Sequence, residues 1–262
     1  MAILALLLAF SASTIGGICG IGGGIIIKPV LDLIGFASVP AISFMSSCTV
    51  LSMSLYSVSK SLRQGSRALE RGKSDYLAIS AALGGLVGNL AFKALKTAAG
   101  NERLLGAAQS ILLLLLVLGT LLYTVNKNRI RPRPTDSKGV CALIGVSLGS
   151  LSSFLGIGGG PFNLVVLHYF LGYETKRAVE NSLYIILLSQ IANLLLSLAS
   201  GTVPDFRLSA LLLMVLGGIS GGAAGKAVSK RLDGSAVDKL FLGLLLVIAL
   251  ICVYNAGGYL LR

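Results

Sequence analysis

The chain has 262 residues, of which 55% are hydrophobic and only 12% charged, and its mean hydropathy is +0.87. A soluble domain carries about twice that fraction of charge, so the composition excludes an ordinary soluble protein and indicates an integral membrane protein. The net charge of +12 does not indicate a nucleic-acid-binding protein, because the basic residues fall mainly in three short segments between apolar stretches. In that position they act as topology signals.

Eight apolar stretches follow one another along the chain. We predict that all of them are helical, because backbone groups in lipid must bond within their own segment. A long stretch at 2–34 precedes three stretches at 39–59, 75–95 and 104–125, each long enough to cross a bilayer core of roughly 30 Å. The same order then returns, with a long stretch at 140–171 and three spans at 178–199, 208–228 and 237–255.

Both long stretches contain the pentapeptide Gly-Ile-Gly-Gly-Gly near the middle, at residues 20–24 and, 136 residues later, at 156–160. Three consecutive glycines strongly weaken a helix. Glycine-broken hydrophobic segments at corresponding places in two halves point to the central binding site of a secondary transporter. Glycine clusters at 84–88 and 221–225 also correspond, and we expect them to allow close packing of helices.

Charge bias predicts the topology. The basic segments 60–73, 126–138 and 226–239 should all lie on the cytoplasmic side. They can do so together only if 140–171 begins and ends on that side, as a hairpin, and the same rule places both ends of 2–34 outside. The predicted fold is therefore an all-α polytopic membrane protein with two inverted repeats. Each repeat is a glycine-broken hairpin, re-entrant or of short helices, plus three transmembrane helices.

The predicted divisions are a first transmembrane repeat at 1–126, a basic cytoplasmic linker at 127–138 and a second, inverted repeat at 139–262. Both termini are then extracytoplasmic, in a multi-pass protein of the cytoplasmic (inner) membrane. Lys93, Lys96 and Arg103 fall on the outer side and run against the charge bias. The basic loops predict contact with anionic lipid headgroups.

The glycine breaks also predict an anion site. Each helix that restarts after a break aims free N–H groups and its positive dipole end back at the break. Pro161 fits a helix start, whereas Ile25 stands at the corresponding place in the first half. A turn-only role for the glycines is the alternative. The candidate substrate-binding residues are Gly22, Gly23, Gly24, Lys28, Ser46, Gly158, Gly159, Gly160, Asn163, Asn181 and Ser182.

Lys28 is the only Lys or Arg well inside a predicted span, and an intramembrane charge indicates function. A pair with Asp32, one turn later on the same helix face, would instead make it structural. Coupling to protons would need a titrating group, and the candidates are Asp32, Glu180 and His168.

Polar side chains in two corresponding spans extend the candidate site. Ser46 and Ser182 are equivalent at the offset of 136, and Asn163 closely follows the second break. Ser in a membrane helix commonly bonds to its own preceding turn, whereas Asn181 is costlier to leave unpaired. Other polar positions in these two spans are Ser43, Ser47, Thr49, Ser54, Ser57, Gln190 and Asn193.

Enzyme chemistry is not predicted. Cys19, Cys48, Cys141 and Cys252 lie in apolar segments without CxxC spacing, and one histidine and no carboxylate cluster accompany them. We therefore expect no metal site, disulfide framework or cofactor. The chain has no HExxH, GxSxG or nucleotide-binding motif.

The motif at 20–24 followed by Lys28-Pro29, and the motif at 156–160 followed by Pro161, resemble the sulfite exporter TauE/SafE family of membrane permeases. The resemblance covers essentially the whole chain. It implies export of a small sulfur-containing anion, such as sulfite, sulfoacetate or a related organosulfonate, with the two glycine breaks as substrate-binding positions.

We expect alternating access between the two repeats. Two other functions stay open: an importer of a thiosulfate-like compound that uses Cys19 and Cys48, and an anion channel. A homodimer is compatible with the leucine-rich surfaces.

Overall fold

The computed structural model describes residues 2–64, 72–99, 102–127, 129–135 and 137–261. The middle of the first basic segment, at 65–71, and positions 128 and 136 of the predicted linker lie outside these ranges. Ten helices and no strand occur within them: α1 Ala2–Cys19, α2 Gly24–Leu33, α3 Val39–Arg63, α4 Lys73–Ala99, α5 Glu102–Val125, α6 Lys138–Leu155, α7 Phe162–Leu171, α8 Thr175–Ala199, α9 Leu208–Ser229 and α10 Gly234–Leu261.

Seven of these helices (α3, α4, α5, α6, α8, α9 and α10) are long and apolar enough to cross a membrane. Each of the six predicted spans coincides with one of them. The two long apolar stretches are broken at their glycines, as predicted, so that the first motif separates α1 from α2 and the second separates α6 from α7. This all-helical arrangement is typical of a polytopic membrane protein.

Glycines in α4 and α9 bring helices from different halves of the chain together. α1 packs against α9, and α4 packs against α6. A Cβ atom added at Gly221 would lie 2.9 Å from Ser13 Cβ, and one added at Gly84 would lie 2.7 Å from Val146 Cα. Such separations are closer than ordinary van der Waals contact. The prediction that these glycine clusters permit close packing is therefore confirmed.

The contacts also give the relative directions of the helices. Leu6 meets Gly217 and Thr14 meets Gly225, so α1 and α9 run the same way. On the other side of the bundle, Ser74 bonds to Asn181 near the starts of α4 and α8, and Lys93 bonds to Ser200 where both helices end. α4 and α8 therefore also run the same way.

α3 runs with α9, because Thr49 meets Gly218 and Met53 meets Gly222. α8 runs against both of them: Lys226 in the last turn of α9 lies 3.6 Å from Glu180 in the second turn of α8.

The bundle has two ends with different chemistry. At one end, where α3, α5 and α9 finish and α8 and α10 begin, Lys127 pairs with Asp238 at 2.9 Å and Lys230 donates to Gln64 at 2.8 Å. We call this the basic end; its other described cations include Lys60, Arg63 and Lys226. At the opposite end, α3 begins and α4 and α8 finish. We call this the cavity end, after the cavity described in the next section.

Candidate functional site

The two glycine breaks touch each other inside the bundle. A Cβ atom added at Gly24 would overlap the backbone carbonyl of Ile157 in the second break, lying 2.6 Å from its carbon. Reciprocally, a Cβ atom added at Gly159 would lie 3.1 Å from Ile21 O in the first break. The sequence offset of 136 relates Ile21 to Ile157, so each loop presents the same carbonyl to the other. Bare glycine backbone is what permits this approach.

Each glycine break forms a short loop, which we call a glycine loop. The corresponding residues Val50 of α3 and Ile186 of α8 pack against these two glycine loops. A Cβ atom at Gly158 would lie 2.9 Å from Val50 Cβ, and one at Gly159 would lie 2.5 Å from Ile186 Cδ1. Gly158 also has φ +72°, matching φ +69° at Gly22 in the first loop. Both conformations lie in the left-handed region that side chains disfavour. Steric space and backbone conformation together therefore require glycine at these positions.

Three of the predicted polar residues lie at or close to the loops. Ser46 Oγ is 2.9 Å from the Cβ position of Gly24, the first residue of α2. Asn163 lies in the first turn of α7, where its N–H donates to Gly160 O at 3.2 Å. Ser182 precedes Ile186 by one helical turn. The hydroxyls of Ser46 and Ser182 and the Oδ1 atom of Asn163 are buried and have no hydrogen-bond partner in the described part of the chain.

Asn181 forms hydrogen bonds that link two helices. Its Oδ1 accepts a hydrogen bond from Ser74 Oγ at 2.7 Å, and its Nδ2 donates to Arg177 O at 2.8 Å. These bonds connect α8 to the start of α4, toward the basic end. The structure therefore places Asn181 in a helix–helix contact.

Lys28 is buried and contacts the second half of the chain. Its Nζ donates to Gln109 Oε1 and to Leu155 O, both at 2.6 Å, and Gln109 Nε2 donates to Phe154 O at 2.5 Å. Phe154 and Leu155 end α6, where free carbonyls and the helix dipole favour a positive charge. Asp32 follows one turn later, and its Oδ1 is buried with no hydrogen-bond partner within the described ranges. Lys28 thus caps the helix that leads into the second glycine break.

A cavity of about 590 Å³ connects the cavity end with the second glycine break. Near the end of α4 its wall carries Lys93 and Lys96, and at depth it reaches Gly156. No carboxylate occurs among the described residues that line it. The polar side chains of its wall are Ser43, Ser47, Asn89, Lys93, Lys96, Thr97, Ser153, Asn193, Ser197 and Thr202.

Inside this cavity Asn89 Nδ2 donates to Asn193 Oδ1 at 2.7 Å. The hydroxyls of Ser43 and Ser153 are buried and have no hydrogen-bond partner among the described groups. Sequence reasoning picked out Ser43 and Asn193 as polar positions in a membrane helix. It missed Asn89, and it treated the cavity lysines only as exceptions to the charge bias. An amide in the middle of an apolar span was the available signal for Asn89.

At the basic end, polar contacts join α3, α8 and α9. Lys226 Nζ donates to Ser61 Oγ and lies 3.6 Å from Glu180 Oε1. Nearby, Tyr184 donates to Asp75 Oδ1 at 3.1 Å, joining α8 to α4. The described residues therefore form an open cavity at the cavity end and polar contacts between helices at the basic end, where a second pocket of about 630 Å³ also lies.

A comparison with protein families decides the affiliation. The family model described as "Sulfite exporter TauE/SafE" matches residues 5–251. The chain belongs to the TauE/SafE family. As a TauE/SafE protein with seven long apolar helices, it is a multi-pass membrane transporter of a permease family. No curated protein and no solved structure matches the chain at a significant level.

Proposed function

We propose that this TauE/SafE protein is a secondary transporter that exports a small sulfur-containing anion, such as sulfite, sulfoacetate or a related organosulfonate, by alternating access. The observation that carries the proposal is the cavity that ends at Gly156. Lysines, amides and hydroxyls line it without a carboxylate among the described residues. Such a wall attracts an anion and gives it hydrogen bonds.

The directions of the helices support two inverted repeats, with divisions at 1–126, 127–138 and 139–262. At the offset of 136 residues α3 corresponds to α8, and α4 corresponds to α9. α3 and α8 run in opposite directions, and α4, which runs with α8, runs against α9. The reciprocal contact of the two glycine loops has the same symmetry. In transporters of this design the substrate site lies where the repeats meet.

The charge distribution supports an orientation. Lysines and arginines of the described chain concentrate at the basic end, and such residues mark cytoplasmic loops. With that end inside the cell, both termini are extracytoplasmic and the cavity opens outward. This is one of the two states that alternating access requires. The polar contacts at the basic end argue against an anion channel, which would need a continuous path.

The substrate position we propose lies between the glycine loops. There α2 begins at Gly24 beside Ser46, and α7 begins close to Gly160 and Asn163. The N-terminal ends of both helices favour negative charge. A buried hydroxyl without a partner costs about 1–3 kcal/mol, so an oxyanion that accepts hydrogen bonds from Ser46 and Ser182 would remove that cost. Because the loops touch, substrate entry requires them to separate.

Thermal unfolding of the detergent-purified protein with a panel of anions tests this proposal: sulfite, sulfate, thiosulfate, sulfoacetate, taurine, phosphate and chloride. A ligand at 100 times its dissociation constant stabilises the folded state by about 2.7 kcal/mol. We expect stabilisation by sulfite or a sulfonate. Absence of any shift with every sulfur anion would contradict the proposed substrate class.

Matched serine variants locate the site. The double variant Ser46→Ala/Ser182→Ala should unfold near the wild-type temperature, since both hydroxyls lack partners, but should lose most of the anion-dependent shift. The control is Ser147→Ala/Ser220→Ala, in which both serines are exposed and bond only to carbonyls of their own helices. It should keep the full shift. Equal shifts in the two double variants would place the site elsewhere.

A further inference from the structure

Asp32 belongs to a second polar centre, apart from the glycine loops. It follows Lys28 by four residues on α2, so the two side chains share one helix face. Its Oδ1 atom is buried and has no hydrogen-bond partner among the residues that the structure describes. The groups around this centre come from both halves of the chain, because Gln109 lies on α5 and Asn255, which donates to Pro29 O at 2.9 Å, lies on α10.

Asp32 has its own access from outside. A pocket of about 300 Å³ lies between α2, α5 and α10, and its wall includes Asp32, Arg103, Tyr254, Asn255 and Tyr259. Arg103 stands near the start of α5 and the tyrosines near the end of α10, which puts the pocket at the cavity end. Among the described residues, it shares no lining residue with the cavity of about 590 Å³. A proton can therefore reach Asp32 from the same side as the anion but by a different path.

Asp32 is the only carboxylate among the described groups that face this centre. The other titratable or charged groups are Lys28 of α2, Arg103 of α5, and Cys252, Tyr254 and Tyr259 of α10. A carboxylate oxygen that bonds to no cation and to no hydrogen-bond donor can take up and release a proton without breaking an existing contact. Asp32 Oδ1 is such an oxygen among the described groups.

The two other candidate proton carriers are already engaged. Glu180 lies 3.6 Å from the buried ammonium group of Lys226. The Nδ1 atom of His168 and the hydroxyl of Tyr123 are 2.8 Å apart in a hydrogen bond. Each of these would have to give up a contact that holds helices together, whereas Asp32 Oδ1 would not.

The connection from Asp32 to the anion path runs through Lys28. The Lys28 ammonium group holds Leu155 O, and the next residue, Gly156, forms part of the cavity wall. When Asp32 is ionised, its charge attracts the ammonium group; when Asp32 is protonated, that attraction is lost. The protonation state of Asp32 therefore changes how strongly Lys28 binds Leu155 O, next to the second glycine break.

We propose that Asp32 is a proton-binding site that couples anion transport by this protein to proton movement across the membrane. The inference rests on the proposed anion transport. Linkage makes the coupling reciprocal: protonation of Asp32 changes anion affinity, and anion binding changes proton affinity by the same factor.

Proteoliposomes loaded with a pH-sensitive dye test this inference. An outward gradient of sulfoacetate is imposed while potassium and valinomycin fix the membrane potential, and exchange of labelled sulfoacetate at equal concentrations is measured in parallel. We expect the wild type to change the internal pH when sulfoacetate moves. Asp32→Asn should lower the protons moved per anion by at least about tenfold and leave exchange within about threefold of wild type.

Asp205→Asn is the matched control, because Asp205 is an exposed carboxylate between α8 and α9, toward the cavity end. It should behave as the wild type, and Asp32→Glu should restore proton movement. A proton signal that survives in Asp32→Asn overturns the inference, and so does wild-type sulfoacetate transport without any proton signal. Absence of wild-type exchange would instead contradict the proposed function itself.

A second readout does not depend on transport. The sulfoacetate-dependent thermal shift is measured from pH 5.5 to pH 8.5, a range of about three units around neutrality. The wild-type affinity should vary with pH, and that of Asp32→Asn should not. If Asp32→Asn no longer exchanges substrate, this comparison decides: a pH dependence that the variant retains overturns the assignment of Asp32.

Discussion

Substitution of Gly24 by alanine tests whether the two glycine loops must touch. Gly24 is the first residue of α2, and its backbone is compatible with alanine, since its φ is not positive. In a helix, alanine normally stabilises by about 0.5–1 kcal/mol relative to glycine. Any destabilisation therefore comes from the new methyl group itself.

The structure gives the size of the steric conflict. The new Cβ would overlap Ile157 O and would lie 2.6 Å from Ile157 C and 2.9 Å from Ser46 Oγ. Ordinary carbon–carbon contacts are about 3.5–4.0 Å, so the opposing backbone must retreat by about 1 Å. Val50 packs against the adjacent Gly158 and limits that retreat. Overpacking of this kind costs about 1–3 kcal/mol, which outweighs the gain in helix propensity.

A thiol-reactive dye measures the outcome. The chain has no tryptophan, but Cys19, Cys141 and Cys252 are buried and become reactive on unfolding. A net loss of about 1 kcal/mol corresponds to a fall in Tm of roughly 2–4 °C for a chain of this size. Gly257→Ala is the control, because nothing lies within 4 Å of its added Cβ. The reasoning is refuted if Gly24→Ala unfolds at the temperature of wild type and control.

Three further predictions follow from the transport account. Lys226→Met should open the basic end, because the pair of Lys226 with the partly exposed Glu180 contributes about 1 kcal/mol. Labelling of the Ser57→Cys variant from the cytoplasmic side should then rise about fivefold. Unchanged labelling would contradict a gate at the basic end. The double variant Lys93→Gln/Lys96→Gln should lower both the apparent rate of anion binding and the salt dependence of that rate. Stopped-flow binding at two ionic strengths measures both quantities. An unaltered rate would show that these lysines do not attract the anion electrostatically. Cys19→Ser/Cys48→Ser should leave sulfoacetate flux in proteoliposomes unchanged, because buried cysteines pack as small hydrophobes, whereas a selective loss of thiosulfate uptake would support the cysteine-dependent importer.

The helices and the glycine breaks were predictable because both depend on local sequence. A long apolar stretch has no alternative to a helix in lipid, and three glycines interrupt one wherever they occur. The offset of 136 residues also indicated that Ser46 and Ser182 would occupy related places. These features needed no knowledge of which helices become neighbours.

The partners of the polar residues could not be predicted, because they are remote in sequence. Lys28 binds oxygens of residues 81 and 127 positions away, and Asn181 binds a hydroxyl 107 positions away. Asn89 meets Asn193 only because α4 and α8 run side by side. The cavity likewise exists through the way the ends of these helices pack, which no single span encodes.

Transport by the purified protein in proteoliposomes is the most direct test of the central claim. Labelled sulfoacetate trapped inside should leave faster than from protein-free vesicles, saturate with concentration, and compete with sulfite but not with chloride. The Ser46→Ala/Ser182→Ala variant should reduce this flux, and the Ser147→Ala/Ser220→Ala control should not. Efflux of every tested sulfur anion at the protein-free rate, from protein that is folded by the thiol assay, would contradict the account.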